Sequence, residues 1–169
     1  MNWNAIRLSA ISTALLFGWM RLQGAGLITA VSKMGIVDLE MADTPSRLML
    51  LLTAWNKTTA VNNILIDFLF IPSYALFLSL GCWQLAMGYH QSGILKTGIF
   101  LAKGVWLAAI FDVIENLLML GSIHGYYTPS SLQITRWVAI IKFSLVAAAI
   151  LFVLAGSIHF LFKKKPHGA

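Results

Sequence analysis

The sequence is poor in cysteine, in histidine and in acidic residues, and each shortage closes off a class of chemistry. Its single cysteine, Cys82, excludes an intramolecular disulfide and a CxxC redox or zinc site. It equally excludes a quinone-linked disulfide enzyme, which needs several thiols. Cys82 lies in an apolar run, where a small packing residue is expected. The histidines are His90, His124, His159 and His167; three fall in connections or the tail, so no facing pair is available to hold a haem. His159 stands near the end of an apolar stretch, where an interfacial or packing role is expected. No Glu-x-x-His repeat occurs, which rules out a di-iron or di-manganese carboxylate bundle. There is no glycine-rich phosphate loop and no basic-aromatic surface for nucleic acid. No metal, no cofactor and no nucleic-acid partner is expected.

Charge of either sign is scarce. Charged residues make up 11% of the chain, whereas a soluble domain carries about a quarter. Hydrophobic residues make up 59% and the mean hydropathy is +0.80, which points to one integral membrane domain spanning residues 1–169 with the bilayer as its first partner. The net charge of +6 does not imply nucleic acid, because the basic residues sit mostly at the ends of apolar segments.

Four segments are apolar enough to span, about residues 8–28, 62–87, 98–120 and 134–162, with residues 32–59 outside the bilayer. A cleaved signal peptide is the alternative for the first, but it has no A-x-A site and its apolar character resumes after Arg21. Ala10, Ala14, Gly18, Arg21 and Ala25 form one stripe of that helix; small stripes are packing faces, so Arg21 is expected to point inward. In the outer segment Thr44-Pro45 reads as an N-cap with proline at the first helical position. Leu48, Leu51, Leu52 and Trp55 then recur at helical spacing, giving a short amphipathic surface helix with Trp55 as interfacial anchor. The alternative is an outward extension of the second span.

The remaining spans carry the same sorting. Ala60, Asp67, Tyr74, Gly81 and Gly88 share a face of the second, where Pro72 is expected to kink the helix. Gly98, Val105, Asp112 and Met119 align in the third, flanked by Ala108-Glu115 and by Ala102-Ala109-Asn116. Lys103 lies half a turn around from Asp112 and can snorkel to the surface. Thr135, Lys142, Ala149 and Gly156 align in the fourth, with Arg136 at its mouth.

Arg7, Lys96, Lys103 and Lys163-Lys164-Lys165 lie on the side of the termini, with no acid among them. The positive-inside rule places both termini in the cytoplasm of a cell whose inner (plasma) membrane holds the chain. The fold expected is all-α: four antiparallel transmembrane helices in an up-down bundle, with the surface helix between the first two. Asp112 and Lys142 then both lie roughly 12 Å below the outer interface. Arg21, Asp67, Tyr74, Asp112, Glu115, Asn116 and Lys142 fall in one layer, with Trp55 and Arg136 at its rim.

A charge at membrane depth costs roughly 2.5–3.5 kcal/mol on insertion scales, so these groups must pair or face a cavity. Three readings stay open. The ion pairs are glue between helices; or they line an outward pocket for a lipid headgroup, small polar ligand or ion; or Asp112 and Glu115 act as an acid-base pair in a small intramembrane enzyme. No nucleophile-base pair accompanies them.

Leu52-Thr53-Ala54-Trp55, Asp67-Phe68-Leu69-Phe70-Ile71-Pro72-Ser73-Tyr74 and Asp112-Val113-Ile114-Glu115-Asn116 together resemble a group of small, uncharacterised bacterial inner-membrane proteins. The resemblance covers the surface helix and parts of two spans. It implies a bacterial four-span protein and supplies no activity.

Overall fold

A computed structural model describes residues 3–89 and 92–163. His90, Lys164, Lys165 and His167, and the side chains of His159 and Lys163, lie outside that description. Among the described residues all regular structure is helical: α1 (Trp3–Gln23), α2 (Val37–Glu40), α3 (Pro45–Ala54), α4 (Lys57–Gly88), α5 (Ser92–Ile123) and α6 (Pro129–Lys163). A 3₁₀ turn, Gly24–Leu27, extends α1. Four of these helices are long and apolar enough to cross a membrane. They exceed the apolar segments, α5 beginning at Ser92 and α6 at Pro129. Hydropathy marks the part of a helix that suits hydrocarbon, whereas the helix itself continues into the interface until a cap or a breaker stops it.

α4 is the central element, packed against α1, α5 and α6. It runs unbroken through Pro72. Its pairing with α5 is close at Gly98, where an added Cβ would stand 2.5 Å from the Ala86 Cβ and 3.0 Å from the Cys82 carbonyl oxygen. The stripe Gly98, Val105, Asp112, Met119 is buried throughout, as are Ala108 with Glu115, Ala102 with Ala109 and Asn116, and Thr135, Lys142, Ala149 and Gly156. Small residues let the backbones approach, and that approach brings the polar side chains spaced among them within hydrogen-bonding reach.

α3 is a separate helix. Thr44 Oγ1 accepts from Arg47 N–H at 3.3 Å, Pro45 opens the first turn, and Trp55 and Asn56 are extended before Asn56 caps α4 by accepting from Thr59 N–H. Its apolar face lies on protein. Leu48 and Leu51 are fully buried together with Leu27, Leu39, Ile64, Met119 and Leu132. The expectation of Trp55 as an interfacial anchor is corrected. Its ring is buried, and its indole N–H donates to Ser32 Oγ at 2.9 Å, which in turn donates to the Leu27 carbonyl at 2.6 Å. An indole with an internal acceptor has no need of the water-rich interface.

Residues 28–56 therefore form a cap over one end of the bundle. Gly35 takes the left-handed conformation, φ +65°, and turns the chain toward α2. Asp38 accepts from Met34 N–H and pairs with Arg47, both at 2.8 Å. Asp43 pairs with Arg136, and its carbonyl accepts from Gln133 Nε2 at 3.1 Å, tying the cap to the start of α6.

Candidate functional site

The polar layer has a closed half and an open half. The closed half is centred on Lys142 of α6. Its ammonium lies 2.7 Å from Asp112 Oδ1 and 2.9 Å from Glu115 Oε2, and Tyr74 Oη donates to Asp112 Oδ2 at 2.9 Å. Glu115 is 0% exposed and Lys142 5%. α4, α5 and α6 each contribute, because the heptad spacing of Tyr74, Asp112 and Lys142 with small residues turns all of them to the shared seam. Burying these charges is costly, and mutual pairing with hydrogen bonding offsets the cost. All three charges are paired, while Glu115 Oε2, although 2.9 Å from Lys142 Nζ, has no hydrogen-bond partner among the described residues.

The open half is a cavity of about 590 Å³ between α1 and α6, floored by α4 and α5 and bounded by the cap. Arg21, Glu40, Asp67, Asp112, Asn116 and Lys142 line one end. Ala10, Ala14, Phe77, Leu78, Val146 and Ile150 line the other. On α4 the interval from Asp67 to Leu78, and on α1 that from Arg21 to Ala10, is eleven residues, about 16 Å of helix. The cavity is thus long, polar at one end and apolar along the rest, with Phe17, Phe70 and Tyr74 between. Phe70 and Tyr74 rings are 5.2 Å apart and Phe17 and Phe70 6.2 Å.

Asp67 accepts from Asn116 Nδ2 at 2.7 Å and, among the described residues, pairs with no cation. Arg21, expected to point inward, borders the cavity but is exposed and forms no ion pair among the described residues. The reason is the stripe it sits on. Ala10 and Ala14 line the cavity instead of packing, and nothing lies within 4 Å of a Cβ placed at Gly18. α1 is held instead through Asn63, whose Nδ2 donates to the Met20 carbonyl at 2.9 Å and to Gln23 Oε1 at 2.8 Å, with Gln23 Nε2 donating to the Thr59 carbonyl. Trp55 and Arg136, expected at the rim, do not border the cavity; Trp55 supports the cap and Arg136 anchors it. Lys103 is exposed and apart from the cluster.

Glu40 is the residue that the sequence reading missed. It comes down from the cap, is buried, and brings Oε2 to 3.7 Å from Lys142 Nζ, too far for a hydrogen bond. That oxygen has no hydrogen-bond partner among the described residues. Burial pushes its carboxyl above the usual carboxylate range, with Lys142 pulling the other way. The one available signal is compositional: Asp38-Leu39-Glu40 alternates with Ile36, Val37 and Met41, too apolar for a solvated loop. Among the described residues no group of histidine, cysteine, aspartate and glutamate has the arrangement of a metal site. No family model, curated protein or solved structure matches this chain.

Proposed function

We propose that this protein is a four-span protein of the inner membrane that holds an amphiphilic molecule in the cavity between α1 and α6, polar head toward Asp67, Glu40 and Lys142 and tail along the apolar end. One observation carries this reading: a cavity of ligand size whose polarity is graded along the helix axis. A small polar ligand would leave the apolar end unfilled, and a bare ion would leave most of the volume empty.

The order of contacts supports an up-down bundle. Ser12 meets Ser73 and Met20 meets Asn63; Tyr74 meets Asp112 and Asp67 meets Asn116, so neighbouring helices advance in opposite senses. With cationic residues toward the termini, the positive-inside rule puts the termini in the cytoplasm and the cap outside. A reporter fused within residues 32–59 should then show extracytoplasmic activity; cytoplasmic activity would invert the whole arrangement.

The binding reading is tested by filling the cavity. Ala14→Trp adds a large ring to a residue with room beside it and should leave the detergent melting temperature within about 2 °C, since surface changes move stability by roughly 0.5 kcal/mol or less. Saturable binding of a radiolabelled twelve-carbon amphiphile to the protein in nanodiscs should disappear. Unchanged binding in Ala14→Trp would place the ligand elsewhere.

A second reading is favoured for the closed half. Lys142, Asp112, Glu115 and Tyr74 pair with one another across three helices, so this part is interhelical glue. Nothing favours an acid-base enzyme: Lys142 holds both carboxylates, and Glu115 does not border the cavity.

A further inference from the structure

The geometry points to a cationic head on the occupant: an ammonium group, carried on an apolar chain, seated between Glu40 and Asp67 with the aromatic rings beside it. This rests on the amphiphile reading above and names the chemical class of ligand within it.

The argument is one of unmet valence. An ammonium has three N–H donors; Lys142 directs two to Asp112 and Glu115 at hydrogen-bond distance, and Glu40 Oε2, at 3.7 Å, is beyond the reach of the third. Glu40, 6% exposed, borders the same cavity, and its Oε2 accepts no hydrogen bond among the described residues. Asp67 borders it too and, among the described residues, accepts from the neutral amide of Asn116 alone. Two carboxyl groups thus face the cavity without a hydrogen-bonded cation, and both reach it from different elements, the cap and α4. A ligand bearing positively charged N–H groups supplies what they lack.

A second, independent feature selects for the same charge. Phe17, Phe70 and Tyr74 border the cavity in mutual contact. The faces of such rings attract cations, and quaternary ammonium groups are bound this way. An anionic head would meet the two carboxyls as repulsion, with Arg21 in its favour and Lys142 already engaged by Asp112 and Glu115. The rest of the cavity takes the chain: Leu78, Val146 and Ile150 offer no polar group.

The test compares three molecules with one tail. Protein in neutral-lipid nanodiscs is titrated in turn with radiolabelled dodecylammonium, dodecyl phosphate and dodecanol, each also used unlabelled as a competitor of the others. The expected result is saturable binding of the cation at one per chain, with both competitors at least about tenfold weaker. Glu40→Gln and Asp67→Asn should each weaken the cation about tenfold, as loss of a charged hydrogen bond does, and leave dodecanol unchanged. Two variants on separate elements keep the test valid if one of them fails to fold. Equal competition by all three heads would overturn the cationic assignment while leaving the amphiphile reading standing. Preference for dodecyl phosphate would overturn it in favour of Arg21 as the anchor. Binding of dodecanol alone would mean that protons, not a ligand, neutralise Glu40 and Asp67. No saturable binding of any of them would defeat the amphiphile reading itself.

Discussion

The seam between α5 and α6 and the space between α1 and α6 are built from the same kinds of residue, yet one is closed and the other open. In the seam, small residues allow backbones to meet, and the charges among them find partners at once: Lys142 with Asp112 and Glu115. Along α1 the small residues Ala10 and Ala14 border a void, and Arg21 on the same stripe has no ionic partner among the described residues. The difference lies in where each helix is held. α6 packs against both α4 and α5, whereas α1 packs on α4 and leans there through Asn63, Gln23 and aromatic contacts. A small side chain permits close approach without enforcing it. Stability is therefore expected to reside in the closed seam and ligand binding in the open side.

The largest expected effect breaks the closed seam. Lys142→Met leaves Asp112 and Glu115 buried without their cation, and removing one partner of a buried pair costs about 3–5 kcal/mol. Size-exclusion of the detergent-extracted protein after heating should show the folded peak lost at a much lower temperature. Adding Glu115→Gln to Lys142→Met should recover part of the loss. Should Lys142→Met melt like the parent, the seam is not what holds the helices.

Glycine makes the comparison sharper with one substitution at two sites. Gly98→Ala drives a Cβ to 2.5 Å from Ala86 and 3.0 Å from a backbone oxygen, so α4 and α5 must separate; about 1–3 kcal/mol is expected to be lost. Gly18→Ala meets nothing within 4 Å and should gain up to about 1 kcal/mol from helix propensity. Equal melting shifts for the two variants would erase the distinction between a packed and an unpacked small face. Tyr74→Phe is the milder probe of the seam. It removes one hydrogen bond to Asp112 but leaves Lys142 in place, so about 1 kcal/mol should be lost by thermal melting.

How much of this was legible in the sequence follows the same divide. Asp112, Glu115 and Lys142 could be placed on shared faces because helical phase is carried by the chain itself: seven-residue spacing from Gly98 and Met119 for Asp112, from Ala108 for Glu115, and from Thr135 and Gly156 for Lys142 turns them inward. Arg21 lay on an equally clear stripe, but absent side-chain volume is compatible with a packed neighbour and with a void. Trp55 lay on an apolar face, and periodicity does not say whether such a face meets lipid or protein. Glu40 was out of reach for another reason. It arrives through a fold-back of the cap at Gly35, and a turn of that kind carries no period from which a tertiary position can be read.

Glu40 stands at the border of the two regions, and its titration decides to which it belongs. It faces Lys142, Asp112 and Glu115, and burial raises its proton affinity above that of the unfolded chain. A carboxyl shifted upward binds more protons folded than unfolded, so its contribution is fully present at acid pH and is lost as pH rises through the folded-state value. Glu40→Gln cannot lose a proton there. Measured side by side from pH 5 to pH 8, the parent should therefore lose stability relative to Glu40→Gln, with the gap widening toward alkaline pH. The opposite slope, a parent that gains on Glu40→Gln as pH rises, would mean that attraction to Lys142 exceeds the cost of burial. Glu40 would then be a third ligand of the closed seam, and the open side would keep Asp67 as its acid without a cation among the described residues.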